Sequence, residues 1–173
     1  SAIPGAAERV SSSKFTLSPS LCWGFPPARY PVFVEEGIEA KKQINSIPAI
    51  ERLPLSEVVK EVITISELGI PAIMLFGIPT QKDEAGSSAF DDEGIVQKAI
   101  TQIRKEFGDK IVIMADVCLC QFTSTGHCGI IHGDKIDNDV SLETLAKIAV
   151  SQAKAGVDTV SQSAMMDGQV SAI

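Results

Sequence analysis

Three times in this chain a short, unbroken apolar run is followed by a stretch of helical periodicity that closes on glycine. That alternation limits the folds open to it. The runs are Tyr30-Pro-Val-Phe-Val34, Ala72-Ile-Met-Leu-Phe76 and Ile111-Val-Ile-Met-Ala115. Five consecutive apolar positions suit a parallel strand covered on both faces. Behind the first run, Leu55, Val58, Val59, Val62 and Ile63 recur at helical spacing, with Ser56 as the expected cap and Gly69 past the last turn. Behind the second, Asp91, Asp92 and Glu93 are expected in the first turn of a helix whose stripe is Ile95, Val96, Ala99, Ile103 and Phe107, closed by Gly108. Behind the third, a helix is expected from about Ser141 through Leu142, Leu145, Ile148 and Ala149 to Ala155, closed by Gly156. Val157 to Ser161 reads as a fourth strand.

Such alternation predicts parallel βα units. Reactive residues follow strands two, three and four, at the ends where (β/α)₈ barrels and doubly wound sheets both place their sites. No GxGxxG or GxxxxGKS/T follows any strand, which weighs against nucleotide binding. Residues 35–54 read as a long connection, and residues 1–29 as an extended arm. Phe15, Leu17, Leu21, Trp23 and Phe25 make that arm too apolar for a solvated tail, so it is expected to pack on its own domain or on a neighbouring subunit.

Between the third strand and the third helix lies Met114-Ala-Asp-Val-Cys-Leu-Cys-Gln-Phe-Thr-Ser-Thr-Gly-His-Cys-Gly129, with three of the four cysteines. In extended chain, Cys118 and Cys120 point to the same side, and Gly126 and Gly129 let Cys128 return towards them. Three converging thiolates suit a tetrahedral zinc ion, and three protein ligands with one open position is the catalytic form of such a site. His127 or His132 could close it instead. Three reduced structural thiols near a strand end are the plainer alternative. The clustering speaks for metal or catalytic thiols in a reducing compartment rather than a disulfide framework, with Cys22 apart from them. A net charge of −7 argues against nucleic acid as a partner. No apolar run is long enough to span a bilayer, and the N-terminus lacks the basic and apolar regions of an intact signal peptide.

Asp116-Val-Cys-Leu-Cys-x-x-Thr-Ser-x-Gly-His-Cys-Gly129 resembles the zinc-binding signature of the porphobilinogen synthase (5-aminolevulinate dehydratase) family. Supporting segments are Tyr30-Pro-Val-Phe-Val-x-x-Gly37, Leu68-Gly-Ile-Pro-Ala72, Leu75-Phe-Gly-Ile-Pro79, Lys82-Asp-Glu-x-Gly-Ser87 and Met165-Met-Asp-Gly168. The resemblance covers residues 28–173. It implies an α/β fold, a (β/α)₈ TIM barrel of which this chain supplies about half, as four parallel strands and three helices over residues 30–173, behind the arm of residues 1–29. It also implies condensation of two 5-aminolevulinate molecules to porphobilinogen, a homo-octamer assembled through the arm, and a cytoplasmic or plastid setting.

By the same resemblance, Cys118, Cys120 and Cys128 are ligands of catalytic Zn²⁺, Asp116 is the active-site carboxylate and Ser163 the active-site serine after strand four. Without the resemblance, Asp116 would read as a solvated strand-end carboxylate. Thr125, Ala164 and Gln169 depart from the histidine, aspartate and arginine of the family pattern, and Ser161-Gln162 from its Ala-Pro. The family's two Schiff-base lysines belong to later strands, and Lys82 reads as a loop or interface charge. The expectation is therefore an inactive piece of the enzyme, with two bare sheet edges and an exposed interior face. A non-catalytic zinc-binding or oligomer-interacting paralogue is the alternative.

Overall fold

The computed structural model describes residues 28–173, so the expected arm lies outside the described residues except at its last two positions. Along the chain come β1 (Arg29–Glu35), β2 (Lys42–Gln43), β3 (Glu51–Leu53), α1 (Val58–Glu67), β4 (Ala72–Ile78) and α2 (Ile95–Phe107). There follow β5 (Val112–Val117), β6 (Ile130–His132), β7 (Lys135–Asp137), α3 (Asn138–Ala155), β8 (Thr159–Gln162) and α4 (Gln169–Ala172).

One sheet runs in the order β2-β3-β1-β4-β5-β8. Within it β1, β4, β5 and β8 are parallel neighbours in chain order. A doubly wound sheet would reverse direction at a switch point, whereas stepwise order is that of a (β/α) barrel. Strand register explains the apolar runs. Val32, Leu75 and Ala115 lie side by side, all buried beneath the helices. Their neighbours in sequence face the other way, and there Phe33 stacks on Phe76 with ring centroids 4.8 Å apart. Phe33, Met74, Phe76 and Met114 on that inner face stay half-exposed, as expected of a barrel seen in part.

Each helix buries one stripe: Val58, Val62 and Ile65 on α1, Ile95, Val96, Ala99, Ile100 and Ile103 on α2, and Leu145, Ile148 and Ala149 on α3. Their starts correct three expectations. Ser56 lies in a short 3₁₀ turn and caps nothing, because α1 begins at Val58. Asp91, Asp92 and Glu93 precede α2 rather than fill its first turn, since Gly94 is the residue at its N-terminal boundary. Helix α3 begins at Asn138, three residues before Ser141, because the Asp137 carboxylate caps it by accepting from the Val140 N–H at 3.1 Å. Ser141 turns inward instead, donating to the Asp137 carbonyl and accepting from the Ile130 N–H.

The connection over residues 35–54 holds β2 and β3, which hydrophobic periodicity does not reveal. Charge holds them: Glu35 at the end of β1 binds Arg52 at 2.9 Å and Lys42 at 3.0 Å. Through this, β3 pairs in parallel with β1 at Phe33 and Val34. The sheet keeps two edges among the described residues, as expected, but the one on the β1 side is moved outward to β2, which pairs only with β3, while β8 pairs only with β5. No described helix is long and apolar enough to cross a membrane.

Candidate metal centre

Strand β5 delivers Asp116 and Cys118 to its C-terminal end. The chain then turns at once, with the N–H groups of Phe122 and Thr123 both donating to the Leu119 carbonyl at 2.9 Å. Leu119 and Phe122 are buried and anchor the turn in the core. Thr123 pairs with Asp83 of the loop after β4, and the Ser124 N–H donates to the Asp83 carbonyl at 2.8 Å. The Thr123 hydroxyl closes the return by donating to the His127 carbonyl, across a bend where Gly126 takes φ +70°. Positive φ is readily open to glycine. The hairpin of β6 and β7 then carries the chain to α3.

These turns bring three sulfurs together. The Sγ atoms of Cys118, Cys120 and Cys128 lie within 4.8 Å of one another, with Cys118 and Cys120 at 3.4 Å. Ligands about 2.3 Å from a tetrahedral zinc lie about 3.8 Å apart, so the spacing fits that ion, as does the soft, all-thiol donor set. Neither histidine joins the cluster, which corrects the suggestion that one of them closes it. The Nδ1 of His127 accepts from the Gly129 N–H at 3.2 Å, and exposed His132 pairs with Asp137 at 3.2 Å. Burial, and then the neighbouring Cys118, push the Cys120 thiol up to about 12 and raise that of Cys128. Adjacent thiols resist ionising together, and a divalent cation removes that resistance.

Asp116 is not a solvated strand-end carboxylate; it is 7% exposed. The Ser163 hydroxyl donates to its Oδ1 at 2.5 Å and the Gln121 amide to its Oδ2 at 3.0 Å. Gln152 of α3 donates to its backbone carbonyl at 2.9 Å. Burial raises the Asp116 pKa, and the bonds from Ser163 and Gln121 oppose the rise. Cys120 also donates to the Gln121 Oε1 at 3.4 Å, so one amide joins thiol and carboxylate. The sequence reading missed both glutamines. Gln152 carried a signal, a polar residue in line with Leu145, Ile148 and Ala149; Gln121 carried none. Lys82 is exposed in the loop after β4, and Ala164 is buried.

Fold and site together define an α/β protein with four parallel strands in barrel order, and a three-thiol cluster beside a buried carboxylate at their C-terminal ends. The family model for delta-aminolevulinic acid dehydratase matches residues 28–173, and the chain belongs to that family. It is 51% identical over 144 residues to the delta-aminolevulinic acid dehydratase of Halalkalibacterium halodurans, covering 83% of this chain and 44% of that protein. Against the Archaeoglobus fulgidus protein of the same description it is 46% identical over 161 residues, 89% of this chain and 50% of that one. A solved delta-aminolevulinic acid dehydratase (porphobilinogen synthase) from Toxoplasma gondii ME49, in complex with the reaction product porphobilinogen, aligns with a TM-score of 0.80 and 36% identity. That alignment covers 84% of this chain and 42% of the solved one. The chain thus spans about half the length of the relatives it matches.

Proposed function

We propose that this chain is the zinc-holding part of a porphobilinogen synthase, the enzyme that condenses two 5-aminolevulinate molecules to porphobilinogen in tetrapyrrole synthesis. The observation that carries this reading is the convergence of Cys118, Cys120 and Cys128 beside Asp116. Cys118, Cys120 and Cys128 would hold the ion as thiolates. When bound, zinc supplies Lewis acidity to a substrate oxygen. Asp116 orients a substrate amine or takes a proton, and Ser163 and Gln121 fix the direction of its two oxygens. Ser163 therefore acts through Asp116, as a positioning residue. A homo-oligomer working in the cytoplasm accords with the family.

Carbonyl activation through an imine needs a lysine of lowered pKa at the barrel mouth. The family resemblance places those lysines on later strands, so this chain alone does not complete the reaction. A second reading, a zinc-binding paralogue without catalysis, has support in the neutral Ala164 of the loop after β8 and the neutral Gln169 at the start of α4.

The test is metal analysis of the reduced chain. About one zinc per chain is expected, lost when Cys118 and Cys120 are both changed to Ser. Undiminished zinc in the double variant would sink the assignment. Lysines at later strand ends in the downstream reading frame would favour the enzyme over the paralogue.

A further inference from the structure

We propose, resting on the reading of the three thiols as a metal site, that Gln121 is a positioning residue of that centre. Its one amide holds the Cys120 sulfur and the Asp116 carboxylate in a fixed relation. The Cys120 Sγ lies 3.4 Å from the Gln121 Oε1, and the Gln121 Nε2 lies 3.0 Å from the Asp116 Oδ2. Among the described residues no other side chain bonds both a sulfur of the cluster and Asp116. Ser163 reaches only the carboxylate, at Oδ1. Asp116 has no ion-pair partner among the described residues, so these two donors are what hold its oxygens.

The turn fixes where this amide starts. The N–H groups of Phe122 and Thr123 both donate to the Leu119 carbonyl, and Leu119 and Phe122 are buried. The Gln121 backbone is therefore anchored on both sides, and its half-buried side chain lies between sulfur and carboxylate.

The chemistry of the two neighbours demands an amide. A ligating sulfur is a thiolate and only accepts hydrogen bonds, as does a carboxylate. A carboxamide nitrogen carries two hydrogens. With an ion held, the Gln121 NH₂ group therefore serves both acceptors, one hydrogen to the Cys120 sulfur and one to Asp116. Hydrogen bonds to charged acceptors are the stronger kind. Outer partners of metal ligands typically contribute about 10–100-fold in metal affinity. On the proposed function, this bridge also sets the direction from which Asp116 meets a substrate amine.

Cadmium-113 serves as the probe ion, because soft thiolates take it and a hydrogen bond to a ligating sulfur carries spin coupling to its nucleus. In the cadmium-loaded 173-residue chain, a side-chain amide proton of Gln121 is expected to show coupling to the metal. Gln121→Leu should bind cadmium at least about tenfold more weakly than the parent in chelator competition. Ser163→Ala removes the other bond to Asp116 without touching a sulfur, and should bind as the parent does. A loaded parent without the coupling, a Gln121→Leu variant that binds as tightly as the parent, or a Ser163→Ala variant that loses as much as Gln121→Leu would each overturn the proposal and leave the thiol site standing. A parent that takes up no cadmium would overturn both.

Discussion

The hydroxyl of Ser163 donates to the carboxylate of Asp116 at 2.5 Å across 47 positions of chain, joining the ends of β8 and β5. That bond holds the loop after β8 against the thiol loop. Changing Ser163 to Ala is expected to cost about 1 kcal/mol, the typical net value of such a bond, and to leave zinc stoichiometry unchanged. Urea unfolding and metal analysis check both halves.

Gly129 follows the third thiol at a place where a side chain has no room. A Cβ there would come within 2.7 Å of Ile136, 2.9 Å of Met166 and 3.0 Å of Ser141. Gly129→Ala should destabilise the chain by about 1–3 kcal/mol through overpacking. Because Cys128 is adjacent, zinc affinity should fall as well, measurable by competition with a chromogenic chelator.

Replacing Gln152 with Leu should cost less, about 1 kcal/mol. The change leaves the Asp116 carbonyl without its donor, but it also removes the buried, unpartnered Gln152 Oε1. The two effects oppose each other. A loss as large as that of Gly129→Ala would show that Gln152 also shapes the packing of α3.

The metal-free thiols set a pH dependence of definite sign. The folded chain holds the Cys120 proton up to about 12 against an ordinary 9.0, and Cys128 shifts in the same direction. Unfolded thiols ionise first, so stability is complete below about pH 9 and declines as pH rises above it. Denaturant midpoints of the metal-free chain should drop as pH rises from about 9 to about 11, and less so in Cys120→Ser. Zinc affinity runs the other way, rising with pH because binding displaces thiol protons.

Zinc-loaded, the 173-residue chain is expected to form no porphobilinogen from 5-aminolevulinate. Nor should borohydride trap substrate on its lysines. On the proposed function, zinc and Asp116 would activate one carbonyl without holding the other substrate covalently. A product signal, or a modified lysine such as Lys82, would contradict the reading of the chain as an incomplete enzyme.

The strand and helix succession, the thiol spacing and the family were legible in the sequence, because apolar periodicity and the Asp116–Gly129 signature are local properties. Strands β2 and β3 were not, since charge pairing of Glu35 with Arg52 and Lys42 holds them where periodicity carries no signal. The exact helix starts also escaped. Helix α3 starts at Asn138 rather than near Ser141 because the Asp137 carboxylate caps it, while Ser141 faces inward and accepts from the Ile130 N–H. The sequence by itself determined which side chains the strand ends carry. Only tertiary structure decided that Asp116 is buried, that Gln121 and Gln152 grip it, and that His127 and His132 stand away from the sulfurs. Those outcomes depend on how β5, β8, α3 and the returning loop pack. A carboxylate's environment is set by neighbours far along the chain, and local pattern does not encode which of them arrive.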